Sequence, residues 1–185
     1  MKIIAGKYKG KEIKCLKGNL IRPTLARVRE MYFNVVRDYI EGANFLDICS
    51  GTGSMGIEAL SRGARFVLFM EKEKEVIELI KLNLKRCDIL YGYKILQGDF
   101  RKKMKNVENM GIKFDLIYFD PPYFKNLYRD FFDLIRDAKF LSGDIIIATN
   151  HFKKIELPDK IHSFIRFKKR RQGDSIISFY RIKKD

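Results

Sequence analysis

The chain has no tryptophan and only 4 prolines, 3 cysteines and 2 histidines among its 185 residues, and each scarcity narrows its class. So few prolines, with 13 glycines, 46% hydrophobic and 33% charged residues, describe neither a disordered chain nor a fibrous repeat. Cys15, Cys49 and Cys87 lack paired metal-ligand spacing, and an odd count cannot form a fully paired set of intramolecular disulfides. A reducing interior is the simplest setting. With His151 and His162 the only histidines, a histidine metal site is not expected. No apolar run approaches the roughly 20 residues that span a bilayer, and residues 1–17 lack the apolar stretch of a secretory signal. The expectation is a cytoplasmic protein without a membrane partner.

What the chain has in excess is positive charge. Its 38 basic and 23 acidic residues give a formal net charge of +15, which points to a polyanionic partner or to an unusually lysine-rich soluble protein. The excess sits at the ends: residues 1–40 carry 10 basic and 3 acidic side chains, residues 151–185 carry 11 and 4, and the 110 residues between them carry 17 and 16. A polyanion-binding surface forms if the two ends meet in space. At 21.8 kDa the chain fits one domain able to bury roughly 70% of its unfolded surface. We expect a single domain over 1–185, with an N-terminal hairpin extension over 1–20 and a core over 21–185.

Partial alternation from Lys2 to Leu16, broken at Gly6 and Gly10, predicts the hairpin. Helical spacing of Val28, Met31, Tyr32, Val35, Val36 and Tyr39 predicts a helix over 24–39 with Thr24 as N-cap. Further helices are expected near 56–62, 73–87 and 127–137. Strands are expected near 44–49, 66–70, 93–97, 114–119, 143–148, 161–167 and 175–182, with Lys168 to Asp174 as a polar connection before the last.

The strand ending at Cys49 runs directly into Ser50-Gly51-Thr52-Gly53-Ser54-Met55-Gly56 and a helical pattern, the setting in which a glycine-rich signal carries meaning. Glycines let the backbone approach a cofactor, and the helix start offers unpaired N–H groups. Glu71, 20 residues after Gly51 at the end of the next strand, is placed to accept from a ribose diol, with Lys72 beside it. Asp47, Glu71 and Asp99 fall at ends of neighbouring strands that line one crevice in a parallel sheet. Asp99 and Phe100 fit an adenine amino group and ring, or else a helix cap and a core residue. At this stage NAD and S-adenosylmethionine both suit the pattern.

Asp120-Pro121-Pro122-Tyr123 follows the apolar strand Phe114 to Phe119. A carboxylate and proline-region carbonyls accept hydrogen bonds from an exocyclic amine, and the tyrosine ring offers a stacking face for a base. A purely structural turn is the competing reading.

Taken together, Asp47 to Gly56, Glu71, Gly98-Asp99 and Asp120 to Tyr123 resemble the successive motifs of class I S-adenosylmethionine-dependent methyltransferases. The tetrad is similar to the Asn/Asp-Pro-Pro-Tyr/Phe signature of enzymes that methylate exocyclic or amide nitrogen. Ile3-Ile4-Ala5-Gly6-Lys7-Tyr8-Lys9-Gly10, Arg22-Pro23-Thr24, Arg27-Val28-Arg29-Glu30 with Phe33-Asn34, Glu58 to Ala64 and Gly173-Asp174-Ser175 extend the resemblance, over essentially the full chain, to the RsmD-type methyltransferases of bacterial 16S ribosomal RNA. The resemblance implies a three-layer Rossmann-like α/β fold with a mostly parallel seven-stranded sheet and an antiparallel last strand.

It also implies methyl transfer from S-adenosylmethionine to N2 of the guanine conventionally numbered 966 of 16S ribosomal RNA, leaving S-adenosylhomocysteine, within an assembling or assembled small subunit, by a monomer without metal. Its implied cofactor residues are Asp47, Ser50, Gly51, Thr52, Gly53, Gly56, Glu71, Lys72, Asp99 and Phe100, and its catalytic residues Asp120, Pro121, Pro122 and Tyr123. The basic ends supply candidate RNA contacts at Lys7, Lys9, Lys11, Arg22, Arg27, Arg29, Lys168, Lys169, Arg170 and Arg171. One departure stands out: Thr149-Asn150-His151 has Asn150 where the family commonly has Glu. Another amino-directed methyltransferase and a non-catalytic RNA-binding module are the alternatives.

Overall fold

The strand Asn44–Ile48 (β1) is buried along its whole length and paired in parallel with Phe66–Glu71 (β2) on one side and Phe114–Phe119 (β4) on the other. Strands covered on both faces are apolar nearly throughout, as these three are. The computed structural model describes residues 1–15, 26–122 and 127–182. Tyr93–Gln97 (β3) pairs in parallel with β2, and Leu141–Phe152 (β5) with β4. Ser175–Ile182 (β8) then runs antiparallel to β5, Phe164–Gln172 (β7) antiparallel to β8, and the two-residue Lys160–Ile161 (β6) closes the edge. The order is β3-β2-β1-β4-β5-β8-β7-β6.

Helices cover both faces. Ala26–Val35 (α1), Ser54–Ser61 (α2) and Lys74–Arg86 (α3) share a core with Phe45, Phe69, Tyr118 and Phe179. Phe100–Glu108 (α4) and Leu127–Ile135 (α5) share the opposite core with Leu46, Ile48, Phe119 and Tyr180. Alternation along β1 explains the split, since Phe45 and Leu46 point to opposite faces. Lys2 bridges Glu12 antiparallel, and Ile3 and Ile13 enter the α1 core, so this extension is packed into the domain rather than beside it. Among the described residues no helix is long and apolar enough to cross a membrane.

Several sequence-based boundaries shift. Among the described residues the sheet has eight strands rather than seven, because β6 adds a short pairing to Phe164 and Ile165. The strand expected at 161–167 lies at 164–172, so the basic run Lys168 to Arg171 is strand, and only Gly173-Asp174 connects it to β8. Beyond Ile165 this strand has a single neighbour among the described residues, and a charged edge strand resists pairing with another chain. The α-helix of α1 stops at Val35, followed by the 3₁₀ turn Arg37–Tyr39. Helix α4 is not among the helices expected from spacing, since its apolar residues Phe100, Met104 and Val107 are interleaved with charge; only the cap reading of Asp99 pointed to it. Thr24 lies outside the described residues.

Candidate active site

The carboxyl ends of β1, β2, β3 and β4 converge on one crevice, as parallel pairing requires. Asp47 lies at its floor. The Gly56 N–H donates to its Oδ2 at 3.0 Å, and the residue is almost wholly buried. Burial, joined by the nearby Asp120 and Glu71 carboxylates, pushes Asp47 up to about 8, although the Gly56 hydrogen bond favours its ionised form.

The glycine loop is held by its own short contacts. Ser50 Oγ donates to the Asp47 carbonyl at 2.7 Å and accepts from the Met70 N–H at 3.0 Å, tying β1 to β2. Glu71 Oε2 accepts from the Gly51 N–H at 3.0 Å, and Oε1 from the Lys72 N–H at 2.6 Å. Gly53 precedes α2 with φ of 75°, a left-handed conformation that favours glycine, and a Cβ on Gly56 would stand 2.2 Å from the Phe69 ring. Thr52 is buried in the loop, and its carbonyl accepts from Asn83 Nδ2 at 2.9 Å.

Asp99 caps α4, accepting from the Arg101 N–H at 3.0 Å and from the Arg101 guanidinium at 2.6 Å. That guanidinium holds the Asp99 carboxyl down to about 2. Phe100 is buried, 5.1 Å from the Phe119 ring centroid, so its side chain packs in the α4–α5 core rather than lining the crevice. The cap and core roles weighed for this pair from sequence are the ones the fold uses.

Asp120 follows β4, its N–H donating to the Ile48 carbonyl at 3.2 Å, with Pro121 buried and Pro122 exposed; Tyr123 lies outside the described residues. Asn150 Nδ2 donates to Asp120 Oδ1 at 3.0 Å, and Tyr128 Oη donates to the Asn150 carbonyl at 2.9 Å. The residue at the family's glutamate position is thus a direct partner of the tetrad carboxylate. His151 is buried, its Nε2 sharing a hydrogen bond with Ser178 Oγ at 2.9 Å, and burial pushes it down to about 4. A neutral, enclosed imidazole is a structural group.

Within a chain of net charge +15, the carboxyl groups of Glu71, Asp99 and Asp120 gather at this crevice beside a protonated Asp47. The Cys49 thiol is pushed well up by burial and then by Glu71, Asp120, Asp47 and Asp99, all four acids acting together. Such a setting complements a cation, and the sulfonium and ammonium of S-adenosylmethionine fit it better than a pyrophosphate would. Among the described residues no group of three or more His, Cys, Asp or Glu is arranged to hold a metal.

Of the candidate RNA contacts, Arg27, Lys168, Lys169, Arg170 and Arg171 lie on α1 and β7, which pack together, so the two basic ends do meet. Lys7 and Lys9 lie exposed in the N-terminal turn. Lys11 is engaged, donating to the Cys87 carbonyl at 2.9 Å and pairing with Asp88. Arg29 corrects the sequence reading. It is fully buried, donating to the Lys2 carbonyl at 2.7 Å and to Met1 Sδ, and so anchors the N-terminus instead of facing a phosphate. Arg22 lies outside the described residues.

Two further polar residues escaped that reading. Buried Glu58 accepts from the Ile4 and Ala5 N–H groups at 2.9 and 3.0 Å and from Arg62 Nε at 2.8 Å. Buried Asn83 joins Lys14 to the glycine loop. Each sits among apolar residues of its helix, which is the signal that marks a buried polar group with partners.

A parallel sheet wound on both faces, an antiparallel last strand, the glycine loop and the Asp-Pro-Pro turn define a class I S-adenosylmethionine-dependent methyltransferase. The fold recurs in Escherichia coli yhhF, described as a candidate methyltransferase, with TM-score 0.85 at 24% identity over 100% of this chain and 99% of that one. The chain belongs to the family described as Conserved hypothetical protein 95, whose model matches residues 1–181. Its relatives include the Haemophilus influenzae protein named ribosomal RNA small subunit methyltransferase D, 35% identical over 151 residues, covering 80% of this chain and 76% of that one. The Buchnera aphidicola protein of the same name is 32% identical over 152 residues, covering 82% and 78%.

Proposed function

We propose that the enzyme methylates the exocyclic N2 of a guanine in 16S ribosomal RNA, at the 966-type site, using S-adenosylmethionine. The observation that carries this reading is the Asp120 carboxylate, braced by Asn150, beside an acidic crevice in a basic protein. The names of the family relatives supply the substrate class.

When bound, S-adenosylmethionine supplies an electrophilic methyl group on a cationic sulfur. Glu71 retains acceptor capacity for a ribose hydroxyl, and the loop from Ser50 to Gly56 lets the backbone close on the ligand. Lys72 and Asp99 stand at the same strand ends, while Phe100 acts from behind by fixing the start of α4. The target guanine leaves its stack, Tyr123 offers the stacking face, and Asp120 with the Pro121 or Pro122 carbonyl orients the amine. Alignment of nitrogen and methyl removes much of the entropic barrier, and the amine proton leaves to Asp120 or to water. Lys7, Lys9, Arg22, Arg27 and the cluster Lys168 to Arg171 supply phosphate contacts that position the RNA without selecting the base.

The test is incorporation of a labelled methyl group into unmethylated small subunits, with the product nucleoside identified by mass spectrometry and mapped. N2-methylguanosine at one position of 16S RNA is the expected product. Label in adenine, in DNA or in a glutamine amide assigns the enzyme to another amino acceptor, and no transfer to any of them leaves a binding module.

A further inference from the structure

The basic surface is not uniform where α1 meets β7. A cleft of about 460 Å³ opens there, within the size range of pockets that take small organic groups. Its cations are Arg27, Lys168 and Arg170, none of which forms an ion pair with a described residue. Among them stand Glu30, Asn34 and Gln172, and Met31 and Val35 contribute apolar wall. A plain phosphate site gains nothing from a carboxylate, which repels the anion. A carboxylate with two amides is instead a set of hydrogen-bonding groups matched to a base edge, the carboxylate accepting from an amino group such as cytosine N4.

Its position ties the cleft to the active site. Lys168, Arg170 and Gln172 alternate along β7 and so share one sheet face. Arg170 is in register with Ile177 of β8, and Ile177 with Asn150 of β5, which bonds Asp120. Asp120, Asn150, Ile177 and Arg170 therefore form one cross-strand row, spanning three strand spacings or about 14 Å. The row itself is core, with Ile177 and Asn150 buried, so it measures how far apart the two places lie and is not a path for the RNA.

We propose that the α1–β7 cleft holds a second, unpaired nucleotide of the RNA that carries the target guanine, its phosphate on Arg27, Lys168 and Arg170 and its amino-bearing base read by Glu30. This rests on the RNA-methyltransferase reading for its biological meaning, but its binding chemistry is testable without turnover.

The experiment measures binding of oligocytidine and oligouridine by fluorescence anisotropy to the full chain, to Glu30→Gln and to the Asn34→Ala, Gln172→Ala double variant, with thermal unfolding as a folding check. The native protein is expected to bind oligocytidine about tenfold more tightly than oligouridine, the size of one specific base contact. Glu30→Gln should bring that ratio close to one with the salt dependence unchanged, and the double variant should weaken oligocytidine about tenfold. Equal binding of the two oligomers by the native protein, or discrimination that survives Glu30→Gln, overturns the proposal. Discrimination without methylation of small subunits would leave the cleft standing and remove only the methylation reading; methylation without discrimination would do the reverse.

Discussion

The crevice at the strand ends gathers acids and the α1–β7 surface gathers bases, and the proposed function assigns a cationic cofactor to the first and RNA to the second. Asp47, Glu71, Asp99 and Asp120 gather at the crevice, where burial first and then these acids push the Cys49 thiol up. Arg27, Lys168 and Arg170 line the cleft on α1 and β7. A net charge of +15 conceals this division, because the acids sit in the nearly neutral middle of the chain and the bases at its two ends. Folding brings the ends together on one side of the sheet and the acids together at its carboxyl edge. Acidic and basic regions thereby lie apart in one molecule, a division of local field that the total charge does not reveal.

The largest expected effect breaks the acidic side alone. Asp120→Ala should lower methyl transfer by about a hundredfold or more, the range for a group positioned at the reacting atoms, while cofactor affinity by calorimetry stays near the native value. Next, replacing Lys168, Lys169, Arg170 and Arg171 together with glutamine should weaken RNA binding strongly. The slope of log affinity against log salt should fall by roughly 0.7 to 0.9 for each phosphate no longer neutralised, whereas an unchanged slope would remove that surface from RNA binding.

A smaller effect sharpens the contrast within the crevice. Asn150→Leu removes the amide that donates to Asp120, and kcat is expected to fall about tenfold with cofactor affinity retained, the cost of one hydrogen bond to a charged group. An Asn150→Gln variant that recovers part of the rate would separate positioning from general damage to β5.

The smallest effect concerns stability. Folded Asp47 keeps its proton up to about pH 8, while the unfolded chain releases it near 3.8, so the native state binds more protons between these values and loses stability as pH rises through that window. Asp47→Asn should therefore gain in melting temperature relative to the native protein progressively from about pH 4 to about pH 8, and not further above it. A difference that stays constant with pH would show that the charge of Asp47 is not the cause.

Much of this was legible in the residues. The strand, glycine turn and helix from Asn44 to Ser61 and the apolar strand before Asp120 announce themselves, because turn chemistry and buried parallel strands leave strong local patterns. Helix α4 did not, since Phe100, Met104 and Val107 are diluted by four basic residues between Phe100 and Val107. The strand character of Lys168 to Arg171 was hidden for a related reason: a charged edge strand lacks the alternation of a half-buried one. Arg29 misled because buried arginines are scarce, and only the contacts with Met1 and Lys2 reveal what its guanidinium serves. The Asn150–Asp120 pair joins residues 30 apart on neighbouring strands, a relation that needs the sheet register to be seen.

Steady-state methylation of small subunits by the native protein, Asp120→Ala and the fourfold basic-cluster variant tests the division of labour most directly. Asp120→Ala should lose kcat while binding subunits normally, and the basic-cluster variant should approach the native maximal rate but require far more substrate to reach it. Loss of both parameters in both variants would contradict the separation of an acidic cofactor crevice from a basic RNA surface.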